Sequence, residues 1–149
     1  MSEHSEQAAL IACVDLNAGR HPALRNVFAI PNGGARHKAV AGKIRAEGAR
    51  PGVPDLCLAW PAHGWHGLYI ELKVGRNKPS AAQIDWLARL EAAGYRAVVC
   101  RGWQAAWREI AWYLDIAPRQ GAALAARDRH AADGDGAALA EIAGEVGGG

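Results

Sequence analysis

Apolar side chains recur at helical spacing between Glu3 and Asn17, at Ala8, Leu10, Ile11 and Val14, and Gly19 stops the run; this predicts a first helix. The short run Val27-Phe28-Ala29-Ile30 is β-branched or aromatic and ends at Pro31-Asn32-Gly33-Gly34, so it reads as a strand entering a turn. From Ala35 to Glu47 the spacing is helical again, with Lys38, Lys43 and Arg45 on outward faces and Gly48 as the stop. Arg50-Pro51-Gly52-Val53-Pro54-Asp55 is a stiff, turn-prone lead into the apolar strand Leu56 to Trp60. Pro61 to Gly67 turns the chain back into a second strand, Leu68 to Val74, and the two make a hairpin. Ser80 is placed to cap a helix that runs through Ile84, Leu87 and Leu90 to Gly94. A strand from Arg96 to Cys100 and a helix from Trp103 to Leu114 complete the order α, β, α, β, β, α, β, α. That order fits an α/β fold in which a mixed sheet is flanked by helices.

Composition sharpens this in two places. Half of the residues are hydrophobic and 21 % are charged, the balance of a globular domain, and 149 residues suffice for one core but not two. Beyond Asp115 alanine and glycine dominate, which predicts a domain over residues 1–115 and a mobile tail over 116–149. The net charge of +2 conceals an asymmetry. The tail holds three basic and five acidic side chains, leaving 14 basic against 10 acidic in residues 1–115. Cys13, Cys57 and Cys100 are far apart, each within an apolar run, and read as buried free thiols rather than zinc ligands. No window approaches the roughly 18 apolar residues of a membrane span, and Met1 to Gln7 is polar, so the expectation is a cytoplasmic protein.

The chemistry is concentrated between Pro54 and Lys73. Residues two apart in a strand share a face, so Glu71 and Lys73 project together while Ile70, Leu72 and Val74 turn into the core. The hairpin returns this strand beside the one that Asp55 opens, which brings a second carboxylate toward Glu71. Adjacent carboxylates repel unless a cation lies between them. Hard oxygen donors suit Mg²⁺ or Mn²⁺, with water and substrate oxygens completing the shell. Such an ion polarises a phosphate and acidifies a water, and a lysine beside it can orient or deprotonate that water. A Glu-x-Lys triplet alone also arises as an ordinary solvated strand face; Asp55 across the hairpin is what favours the site.

With these residues in place, the chain resembles the PD-(D/E)xK nuclease superfamily and, more narrowly, the VRR-NUC (virus-type replication-repair nuclease) family. The likeness rests on Pro31-Asn32-Gly33-Gly34-x-Arg36, Gly48-x-x-Pro51-Gly52-Val53-Pro54-Asp55, Gly67-Leu68-Tyr69-Ile70-Glu71-Leu72-Lys73 and Ser80-x-x-Gln83-x-x-Trp86-Leu87, and spans roughly residues 3–114. The resemblance implies a restriction-endonuclease-like fold and divalent-metal cleavage of DNA. Asp55 and Glu71 match the metal-binding acids, Lys73 the catalytic lysine, and Gln83 the glutamine of the helix after the core. The Leu72 backbone carbonyl is implied as a further ligand. Glu3, with Gln7, matches a Glu-x-x-x-Gln of the first helix, a role for which Glu6 competes. The bacterial and viral members also imply a homodimer acting on branched or junction DNA, in a bacterial or virus-infected cell.

Around this centre, Asn32, Gly33 and Gly34 read either as a tight turn or as a backbone loop that approaches a phosphate beside Arg36 and Lys38. Lys43, Arg45, Arg50, Arg76 and Lys78 are candidates for a positive track along DNA, each also explicable as a solvated charge. Trp86, Trp103 and Trp107 read as core, while Trp60 and Trp65 fall in the hairpin turn, exposed for base stacking or a dimer contact. His63 and His66 read as loop residues. Two rivals stand beside a DNA nuclease: a nucleic-acid-binding module without catalysis, and a nuclease acting on RNA, since no residue separates the two sugars.

Overall fold

The computed structural model describes residues 1–31 and 38–117, with Lys38 and Ala39 described by their backbone alone. Four helices, α1 (Glu3–Asn17), α2 (Lys38–Ala46), α3 (Ala81–Ala92) and α4 (Trp103–Tyr113), surround four strands, β1 (Val27–Ala29), β2 (Leu56–Leu58), β3 (Leu68–Lys73) and β4 (Arg96–Arg101). The order of elements is the one the hydrophobic pattern predicts. A 3-10 turn over Pro22–Asn26 is additional, started by a proline whose fixed φ and missing N–H suit a first helical turn.

The sheet runs β1-β2-β3-β4, antiparallel between β1 and β2 and between β2 and β3, and parallel between β3 and β4. Helix α3 makes the crossover that a parallel pair requires. One face of the sheet, carrying Leu56, Leu58, Leu68, Ile70, Leu72 and Cys100, packs against Leu10 and Val14 of α1 and Ala106, Ile110 and Tyr113 of α4. The opposite face receives Leu87 and Leu90 of α3 on Tyr69, Ala97 and Val99. Covering both faces explains why every residue of β3 except the half-buried Tyr69 is buried, and why the strand lacks the alternation of a half-exposed one.

Several expectations need correction. Strand β2 stops at Leu58, where the Trp60 N–H turns back to the Leu58 carbonyl at 3.0 Å. Trp65 is not exposed in the hairpin turn. It packs on the main core and stacks on Tyr113, with ring centroids 6.2 Å apart, and the Arg96 guanidinium lies over its face. Only Trp60 of that pair is exposed. His63 lies in the turn as expected, with its ring stacked on Trp112 at 4.9 Å. All three cysteines are free thiols, Cys57 and Cys100 buried and Cys13 half-buried. Among the described residues no helix is long and apolar enough to cross a membrane. Residues 118–149, nearly all of the expected tail, lie outside the described part of the chain.

Candidate active site

Strand parity sets the site. Glu71 and Lys73 share the α3-covered face with Tyr69, and the β2–β3 register, Leu56 opposite Ile70, continues to place Asp55 opposite Glu71. Two hydrogen bonds fix Asp55: its carbonyl accepts the Ile30 N–H at 2.8 Å, and its Oδ2 accepts the Leu72 N–H at 2.8 Å. The segment before it is held on α3. The Trp86 indole N–H donates to the Pro51 carbonyl at 2.9 Å, and Gly52, at φ +86°, lies so close to Ala82 that a Cβ would come within 2.5 Å of its carbonyl carbon. That contact is the reason for a glycine there.

Glu71 is 1 % exposed and Lys73 6 %, so the pair is not a solvated strand face. Lys73 Nζ lies 3.0 Å from Glu71 Oε1, and the Gln83 amide Nε2 donates to the same oxygen at 2.6 Å. Gln83 reaches this position because it is the third residue of α3 and half of a capping box. Its Oε1 accepts the Ser80 N–H at 2.8 Å, which leaves its NH₂ group directed at Glu71. One oxygen of Glu71 thus has two donors, whereas Oε2 is buried with no hydrogen-bond partner.

The electrostatics follow from this crowding. Burial, then the Asp55 charge, push the Glu71 carboxyl up to about 7 against the pull of Lys73, with Glu3 adding to the rise. Burial likewise raises Asp55, opposed by the Leu72 N–H and Lys73. Burial alone would lower Lys73, but its bond to Glu71 and the charges of Glu71, Glu3 and Asp55 outweigh it and keep the ammonium above its ordinary value. Two carboxylates that are hard to ionise side by side, one with an unsatisfied buried oxygen, form a donor set suited to a small hard cation. Among the described residues no three His, Cys, Asp or Glu side chains gather into a ready-made cage. An ion here would therefore draw on the Leu72 carbonyl, water and substrate to complete its shell.

The structure separates the two acids of α1. Glu3 Oε1 stands 3.7 Å from Lys73 Nζ, at the rim of the site. Glu6 is buried and turned elsewhere: its Oε2 accepts the Trp103 N–H at 2.6 Å, capping α4, whose own N-cap is Gly102.

Comparison with known proteins decides the affiliation. The profile of the VRR-NUC domain matches residues 5–104. The chain belongs to the VRR-NUC family. A solved structure named VRR_NUC domain protein superposes with a TM-score of 0.64 at 24 % identity, over 78 % of this chain and 90 % of the other, a likeness of fold. No curated protein matches the chain. VRR-NUC membership makes this an α/β protein of a nuclease family with nucleic acid as the kind of substrate.

The remaining candidates of this VRR-NUC chain are less gathered. Asn32, Gly33, Gly34 and Arg36 lie outside the described residues, and Lys38 is placed only as the first residue of α2. Lys43, Arg45, Arg50, Arg76 and Lys78 are all exposed, the first two on α2 and the last two in the turn after β3. Sequence reasoning missed Arg101, whose Nη1 donates to the carbonyls of Gly75 at 3.0 Å and Asn77 at 2.7 Å and so ties down that turn. No local signal marks it, because only the parallel register of the folded sheet sets Arg101 beside Lys73. The buried Arg96–Glu109 ion pair, sandwiched beside Trp65 and Trp112, was also missed; it braces β4 against α4 on the far face of the sheet.

Proposed function

We propose that this chain hydrolyses phosphodiester bonds of DNA with Mg²⁺ or Mn²⁺, using Asp55, Glu71, Lys73 and Gln83. The observation that carries the reading is the divided state of the Glu71 carboxylate: Oε1 accepts from both Lys73 and Gln83, and Oε2, buried without a partner, is left for a cation. Asp55, Glu71 Oε2 and the Leu72 carbonyl would hold the ion, with Glu3 at the rim. When bound, such an ion supplies a Lewis acid for the phosphate and for water, and offsets charge developing on the leaving oxygen.

The chain's own groups have distinct tasks. Lys73, held charged by its carboxylate neighbours, orients the attacking water and stabilises negative charge on the phosphate rather than removing a proton itself. Gln83 keeps Glu71 in one rotamer so that Oε2 faces the ion. Asp55 is steered by the Leu72 N–H, which engages Oδ2. The exposed cations Lys43, Arg50, Arg76 and Lys78 attract the backbone of the duplex. The finer form of this reading is a homodimer that presents two such sites to the two strands of branched or junction DNA.

Labelled linear duplex, flap and four-way junction DNA, incubated with Mg²⁺, Mn²⁺ or EDTA and the wild type or Lys73→Ala, tests the proposal. Metal-dependent cutting lost in the variant supports it, and the preferred substrate tests the junction reading. Binding without cutting in any metal rejects catalysis in favour of a binding module, and cutting of the matching RNA alone rejects DNA as the substrate.

A further inference from the structure

Where β3 ends, a cleft of about 590 Å³ opens between the turn after Lys73 and the start of α4, lined by Glu6, Val74, Arg76, Asn77, Arg101 and Gly102 among others. It shares a wall with the candidate active site: the Gly102 N–H donates to the Lys73 carbonyl at 3.0 Å, and Glu3, one turn before Glu6 on α1, stands beside Lys73. It is open to solvent over much of its surface, as a site for one unit of a long chain must be.

The charges in the cleft are arranged for an anion. Arg76 is exposed and has no hydrogen bond or ion pair among the described residues. Arg101 spends Nη1 on the carbonyls of Gly75 and Asn77, which fixes the turn that carries Arg76, and keeps the other donors of its guanidinium fork. The one acid, Glu6, is committed to the Trp103 N–H at 2.6 Å. Two guanidinium groups against one engaged carboxylate leave a positive lining, and Val74 with Gly102 supplies an uncharged wall.

We infer that this cleft is a subsite for the nucleotide next to the cleaved bond, with its phosphate on Arg76 and Arg101 and its sugar along Val74 and Gly102. The inference rests on the nuclease reading for the place of the cut, but the contact itself is one of binding. It makes Arg76 a specific phosphate contact, unlike the other exposed cations, whose contribution is a diffuse attraction.

The test measures binding of a fluorescein-labelled DNA duplex by the full chain across a salt series, together with cleavage kinetics, for the wild type, Arg76→Ala, Arg76→Lys and Arg20→Ala. Arg20 is the control because it follows the far end of α1, a 15-residue helix about 22 Å long. Arg76→Ala is expected to weaken binding about tenfold and to lower the slope of log K against log salt by about one, with Arg76→Lys recovering part of both. KM is expected to rise more than kcat falls, and Arg20→Ala to match the wild type. Equal behaviour of Arg76→Ala and Arg20→Ala overturns the subsite. Binding that depends on Arg76 in a wild type that never cuts supports the phosphate contact and rejects both the hydrolytic reading and the cleft's place beside a cut. A wild type that neither binds nor cuts DNA overturns both.

Discussion

Gln83 donates its amide N–H to Glu71 Oε1 at 2.6 Å while its own Oε1 accepts the Ser80 N–H, so one side chain both starts α3 and aims the buried carboxylate. The two duties are separable. Gln83→Ala removes both and is expected to cost about 1 kcal/mol of stability, from the lost cap, and about 10- to 100-fold in activity. Gln83→Glu keeps an acceptor for the capping box but sets a third carboxylate against Glu71, so cleavage is lost and the melting temperature falls in EDTA and recovers in part with a divalent ion, whereas the cost of Gln83→Ala is expected to persist in metal. Calorimetry and cleavage assays on the two variants separate these effects.

The raised Glu71 carboxyl makes stability depend on pH. Its folded value of about 7 stands above the ordinary 4.5, so the folded chain holds a proton that the unfolded chain releases. The contribution is therefore complete below about pH 4.5 and is lost as pH rises through 7, an effect on the order of 3 kcal/mol. In EDTA the melting temperature is expected to fall between pH 5 and pH 8, and Mn²⁺ to restore it at the upper end. Glu71→Gln should flatten the profile; an unchanged slope in that variant would assign the effect to another group.

Gly52 is a seam between the segment leading to Asp55 and α3. Gly52→Ala places a Cβ 2.5 Å from the Ala82 carbonyl carbon at a backbone φ of +86°, so α3 must move away from the site. A loss of at least about 2 kcal/mol in urea denaturation is expected, with activity falling further than stability. Gly64→Ala is the control: it has the same φ and nothing within 4 Å, so it carries the backbone strain alone.

Glu3 and Glu6 are expected to fail in opposite ways. Glu6→Ala removes the cap of α4 and should cost about 1–2 kcal/mol, measured by urea denaturation, with kcat little changed. Glu3→Ala, at the rim beside Lys73, should leave stability within about 0.5 kcal/mol and lower activity or metal affinity. The reverse pattern would move Glu6 into the site.

How much of this was legible in the sequence follows from the range over which each signal acts. Asp55, Glu71 and Lys73 were found because strand parity and a short hairpin are local rules, and the capping box of Ser80 and Gln83 likewise lies within one helical turn. The Glu6 to Trp103 bond joins residues 97 apart, and no local pattern told Glu3 from Glu6. The place of Trp65 is not legible locally: a turn residue reads as exposed, whereas Tyr113 and Arg96, distant in sequence, close over it. Arg96 was half legible: it shares parity with Val98 and Cys100 on the core-facing side of β4, which demands a buried partner, but only tertiary packing identifies Glu109.

The most direct test of the central claim is single-turnover cleavage of labelled DNA in Mn²⁺ by the wild type and by Glu71→Gln, with DNA binding measured in parallel. The variant keeps the shape of Glu71 and loses its charge. The account predicts cutting by the wild type that EDTA abolishes, a fall of at least about 10²-fold in the variant, and DNA affinity within about threefold of the wild type. Cutting by Glu71→Gln at the wild-type rate, or a wild type that binds DNA and never cuts it in any metal, would contradict the account.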